Sequence, residues 1–89
     1  MEIVFTDHAV MRMGQRGITR EMIDAALKYG RQIYARNSLY FFLGKQAIKR
    51  MGKPADKWEG LTLVLDPRSN CLLTCFKNRR WLKKIRHKR

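Results

Sequence analysis

Residues 61–77 read LTLVLDPRSNCLLTCFK. Two apolar, strand-forming runs, LTLVL (61–65) and CLLTCFK (71–77), flank the cluster DPRSN (66–70). Within that cluster Pro67 presets φ and Asn70 tolerates the left-handed region, so the segment predicts a hairpin. Strict alternation puts Leu72, Thr74 and Phe76 on one face of the returning strand. It puts Cys71, Leu73, Cys75 and Lys77 on the other.

Upstream, RQIYARN and LYFFLGK read as two further strands joined near Asn37 and Ser38. KQAIKRMGKP admits two readings. It extends a strand, or Lys45 to Met51 form a short helix that Gly52 and Pro54 end. KPADKWEG is a connection. Nearer the start, Thr6 suits an N-cap and Asp7 a first turn. The predicted helix runs from about Asp7 to Arg16 and stops at Gly17, with Ala9, Val10 and Met13 as its buried stripe. A second helix starts at the N-cap Thr19, carries Glu21 and Asp24 near its positive end, and stops at Gly30. Ile18 and Ile23 stand at the two positions of a hydrophobic staple, and Ile23, Ala26 and Leu27 form the inward face. Residues 3–5, IVF, are a short strand or an extended lead-in.

The expected fold is therefore α+β: two N-terminal helices packed on an antiparallel sheet of about four strands. With 89 residues, one domain over 1–80 and a basic tail over 81–89 is the expected division. In that tail Trp81, Leu82 and Ile85 recur at helical spacing, which predicts a basic amphipathic helix.

Apolar residues make up 45% of the chain, which suits a folded domain. Twenty Lys and Arg against seven Asp and Glu give a net charge of +13. Folding gains nothing from that imbalance, since net charge opposes compaction, so a polyanionic partner is expected. Nucleic acid is the first candidate; an anionic membrane or an acidic protein follows. No leader of the secretory type and no membrane-spanning run is visible, and a cytoplasmic location is expected. Cys71 and Cys75 lie four apart in one strand, about 13 Å, too far for a disulfide, and read as reduced thiols. The two His and two Cys do not have zinc-finger spacing, and no metal or cofactor is implied.

Three segments carry candidate chemistry. In TDHAVMRMGQRGIT (6–19), His8, Arg12, Gln15 and Arg16 share one stripe of the first helix. A neutral imidazole there can accept a proton, and the arginines can hold a phosphate. The bland alternative is a capping histidine and two solvated arginines. In LLTCFKNRR (72–80), the strand presents Thr74 and then the cations Lys77, Arg79 and Arg80 at a rigid end. Against that, Thr74 also suits a strand for its β-propensity alone. The tail adds Lys83, Lys84 and Arg86, interleaved with Trp81, a pattern typical of binders that track a nucleic-acid backbone. The helix–Gly–helix of residues 7–29 imitates a helix-turn-helix. Its second helix, however, begins with Glu21 and Asp24, which would repel the phosphates.

FTDHAVMRMGQRGIT, MIDAALKYG and the later EGLTLVLDP and LLTCFKNRR together resemble a widespread bacterial family of small domains of unknown function. The family pattern is F-T-x-H-A, an Arg four residues after the His, then R-G-I-T and a second helix ending in Gly. This chain has Cys75 and Phe76 where the family often has Val-Tyr, so it lacks a phenol hydroxyl there. The family looks related to RelE-like toxins and the barnase-like ribonuclease superfamily. The resemblance implies a metal-independent endoribonuclease of the toxin–antitoxin type, neutralised by an antitoxin protein. In that role His8 takes the 2′-OH proton, Arg12 and Arg16 neutralise the phosphorane-like transition state, and Thr74 and the following cations position the backbone. Two rivals remain: a non-catalytic module binding RNA or the ribosome, and an interaction module bound to an acidic partner.

Overall fold

Residues 2–52 and 58–77 are described by a computed structural model. Thr6 has extended backbone, and its Oγ1 accepts the Ala9 N–H at 3.1 Å. This satisfies a donor that helix geometry leaves orphaned and starts α1 (Asp7–Arg16). Gly17, at φ 64°, ends it in the left-handed region, where a residue without Cβ is at no disadvantage. Thr19 starts α2 (Arg20–Tyr29) in the same way, accepting the Met22 N–H at 3.2 Å. The Met22 thioether accepts the Thr19 N–H in return, at 3.4 Å, where a Glu or Gln is usual. Ile18 and Ile23 are both buried, as the staple requires. Gly30 ends α2 with extended backbone, not the left-handed turn. A Cβ at Gly30 would collide with the Ala26 carbonyl oxygen.

The strands are β1 (Val4–Phe5), β2 (Arg31–Ala35), β3 (Ser38–Leu43), β4 (Leu61–Leu65) and β5 (Cys71–Lys77), with α3 (Lys45–Met51) between β3 and β4. They form one sheet in the order β1-β5-β4-β3-β2. The run from β2 to β5 is the expected antiparallel meander. Among the described residues the fold differs from expectation in having five strands and three helices. IVF contributes β1, which pairs parallel with β5, so the sheet is mixed. Lys45–Met51 resolves as helix, ended by Gly52 at φ 68°.

The β2–β3 loop is Arg36 and Asn37, both at positive φ (54° and 61°), and Ser38 already pairs with Ala35. Two left-handed residues give the loop the twist that the strands need. The β4–β5 turn follows the sequence reading. Asp66 caps it by accepting from the Arg68 N–H (3.0 Å) and the Ser69 hydroxyl (3.1 Å), and Asn70 takes φ 58°.

One further correction governs the site. Val64 pairs with Thr74 but Leu65 pairs with Leu72, so Leu73 is an extra residue in a bulge. The bulge resets the alternation. Leu72 and Cys75, not Leu72 and Thr74, share the face that packs against the helices. Thr74 and Phe76 lie opposite Val64 and Thr62 on the other face.

The main core gathers Ala9, Met22, Ile23, Ala26, Ala47 and Ile48 from the three helices against Phe41, Leu43, Leu61, Leu63, Leu65, Leu72 and Cys75. A smaller cluster on the second face centres on Tyr40 and Val64, with Ile33, Ala35 and Phe76 around them. Val10, expected inside, is 54% exposed. It lies about 100° around α1 from Ala9, beyond the reach of the sheet. Among the described residues no helix is long and apolar enough to cross a membrane. The expected tail helix lies outside the described residues, as does most of the connection before Trp58.

Candidate functional site

Two long-range hydrogen bonds fix α1 on β5. At its start the Thr6 hydroxyl donates to the Leu72 carbonyl at 2.7 Å. At its end Arg16 Nη1 donates to the Cys75 carbonyl at 2.8 Å. Ala9 between them is fully buried, which brings the helix backbone close to the strand. The single threonine thus caps the helix and ties it down with one oxygen, donating its proton and accepting another.

This arrangement sorts the residues of the opening stretch by task. Thr6, Ala9 and Gly17 build the helix and seat it. His8, Arg12 and Gln15 face outward. Arg12 Nε donates to His8 Nε2 at 3.4 Å, and Arg12 Nη1 donates to Gln15 Oε1 at 3.1 Å. His8 can accept there only while Nε2 carries no proton. Three polar side chains thereby form one chain along the exposed side of the helix, with the guanidinium in the middle.

Arg16 was expected in that stripe and does other work. It lies about 20° around the helix from Ala9, at the inward edge. From there its long stem carries the guanidinium to the β5 backbone. One donor is committed to Cys75, so its role here is first that of a tether.

Thr74 does not join the group. The bulge turns it to the sheet face away from α1, opposite Val64. Unbroken alternation put it on one face with Leu72, and Leu73 interrupts that alternation. Lys77 fares better. It pairs with Leu61, a residue of the helix-covered face, and is exposed at the end of β5, two residues beyond the carbonyl that Arg16 holds. Arg79, Arg80, Lys83, Lys84 and Arg86 lie outside the described residues.

The Cys75 thiol sits beneath this site. Burial pushes its pKa up from the ordinary 9.0, and the Arg16 guanidinium pulls weakly the other way. A buried, protonated thiol is a small apolar group and not a nucleophile. Cys71 and Cys75 are both free thiols.

A second basic cluster escaped the sequence reading. Arg31, Lys45 and Arg50 line a cavity of about 320 Å³ together with Tyr29, Phe42 and Gly44. The only local hint was the spacing of basic residues along KQAIKR. Residues 29 to 31 reach it through the fold alone.

A family model described as a domain of unknown function, DUF4258, matches residues 5–83. No curated protein and no solved structure matches the chain.

Proposed function

As the chain belongs to this family of domains of unknown function, its activity has to be read from its own surface, and we propose that it binds RNA along α1. The observation that carries the reading is the exposed His8–Arg12–Gln15 chain, held rigid by a helix tied at both ends to β5. A guanidinium flanked by an imidazole and an amide offers donors in a fan, which suits a phosphodiester oxygen. Lys77 continues the positive line at the end of the strand. The net charge of +13 supplies the attraction toward any polyanion.

A second reading makes the same site a metal-independent endoribonuclease of the RelE-like, toxin–antitoxin type. It is favoured by an imidazole nitrogen in contact with a guanidinium on one exposed helix side. With its bond to the Arg12 Nε–H broken, His8 Nε2 would take the proton from a 2′-OH, that oxygen would attack the adjacent phosphorus, and the 5′-oxygen would leave, protonated by solvent water. The product would be a 2′,3′-cyclic phosphate, with Arg12 stabilising the added negative charge. Thr74 has no part in this version, and Arg16 acts by seating the helix. An acidic antitoxin covering the stripe, and action in the cytoplasm, belong to this reading.

Both readings are tested together. Fluorescence anisotropy with a single-stranded RNA measures affinity against salt, and gel analysis in excess EDTA measures cleavage. Arg12→Gln should weaken binding and lower the salt slope by about 0.7, the share of one phosphate contact. Wild-type slopes unaltered by both His8→Ala and Arg12→Gln would remove α1 as the binding surface. Cleavage by wild type but not by His8→Ala would establish the enzyme; binding without cleavage leaves the binding module.

A further inference from the structure

We propose that the cavity at the other edge of the sheet binds a single nucleotide unit, its phosphate on Arg31, Lys45 and Arg50 and its base against Tyr29. The cavity lies where α2 ends, β2 begins and β3 passes into α3. Its volume, about 320 Å³, is at the small end of ligand sites, which run from about 300 to 1,000 Å³. A hollow of that size accommodates one nucleotide unit.

The charge is one-sided. Three cations line the cavity, and no acidic residue among the described ones does. Arg50 is fixed in place: its Nη2 donates to the Tyr29 carbonyl at 2.6 Å, at the negative end of α2. The side chains of Arg31 and Lys45 make no hydrogen bond or ion pair with another described residue. Unpaired cations gathered around one hollow repel each other, and a bound dianion removes that cost. Arg31 stands directly across from Phe42 in the β2–β3 pairing, so cation and ring are neighbours on one face.

Half-buried Tyr29 is the aromatic residue of the lining with surface left for a base, whereas Phe42 is buried. The Phe42 ring packs against the Gly44 backbone, where a Cβ would lie 2.9 Å from it. β5, which carries α1, stands three strands from β2 in the sheet, about 14 Å away. The cavity and the α1 stripe are therefore separate surfaces, and each can fail without the other.

The ligand has two sources, a free mononucleotide or one residue of an RNA strand. The test is an amide-resolved NMR titration of the full chain with adenosine 5′-monophosphate, inorganic phosphate and a 5′-phosphorylated trinucleotide. Saturable shifts are expected at Phe42, Gly44 and Lys45. Adenosine monophosphate should bind at least about tenfold more tightly than phosphate. The Arg31→Gln/Lys45→Gln double variant should lose at least about tenfold in affinity while keeping a folded spectrum. His8→Ala/Arg12→Ala should bind it as wild type does. A trinucleotide that binds more tightly than the mononucleotide, and weakens in the same double variant, marks an RNA subsite. Equal binding marks a free-nucleotide site. No saturation by about 10 mM, equal affinity for phosphate and nucleotide, or shifts confined to α1 would each overturn the proposal.

Discussion

Thr6→Ala tests whether one side chain does two structural jobs. Its oxygen accepts the Ala9 N–H and donates to the Leu72 carbonyl. Losing an N-cap costs about 1 kcal/mol, and losing a partly buried hydrogen bond about 1 kcal/mol more. The sum is about 2 kcal/mol, a large part of the stability of a domain this small. It corresponds to a fall of about 10 °C in Tm, at roughly 4–8 °C per kcal/mol. Thr6→Ser keeps both bonds and loses one methyl, so its cost stays below about 1 kcal/mol. Urea denaturation followed by far-ultraviolet circular dichroism measures both variants. Thr6→Ala within about 0.5 kcal/mol of wild type would refute the dual role, as would Thr6→Ser falling as far as Thr6→Ala.

The two arginines of α1 should separate in opposite ways. Arg16→Met is expected to lose about 1–2 kcal/mol of stability with the bond to Cys75, measured by urea melts. Arg12→Met should leave stability within about 0.5 kcal/mol and weaken RNA binding in anisotropy instead. At the bulge, Leu73→Ser should cost less than about 0.5 kcal/mol, whereas Leu72→Ala should cost about 2–5, both by the same melts. In thiol titration of the native protein, half-buried Cys71 should react well before buried Cys75, and both should react at once in denaturant. The Cys75 pKa is raised on folding, so its contribution is fully present below the unfolded thiol's pKa, near 9, and is lost as pH rises through the folded value. Stability of wild type should therefore fall more steeply above pH about 9 than that of Cys75→Ala.

Local chemistry made much of the fold legible. Thr6, Thr19 and Gly17 marked helix ends because caps and left-handed stops involve only a few adjacent residues. Asp66 to Asn70 marked a turn for the same reason. The bulge at Leu73 carries no Gly or Pro to announce it, and only the pairing with β4 shows that one residue is extra. β1 is two residues long, too short for any period, and exists because Asn70 and Cys71 offer it an edge. α3 starts at Gly44, which has no side chain to cap with, so its start left little trace. Within the candidate site, helical spacing put His8 and Arg12 on one stripe, where they meet. The tether of Arg16 and the facing of Thr74 were not legible, because one depends on the reach of a long side chain and the other on a strand's irregularity. The nucleotide-sized cavity joins residues 29 to 31 with residues 42 to 50, a convergence that hairpin pairing and helix packing alone create.

The pairing of β1 and α1 with β5 joins the first strand and helix to the last of the described strands. The Thr6–Leu72 bond spans 66 residues. At about 5 to 20 residues per second, a ribosome needs several seconds to make that intervening chain. During that time α1 has its polar stripe but no seat, and β4 has an open edge. The His8–Arg12 surface is thus presented rigidly only when the last strand arrives, and the nascent chain has an apolar helix face and a bare strand to protect until then.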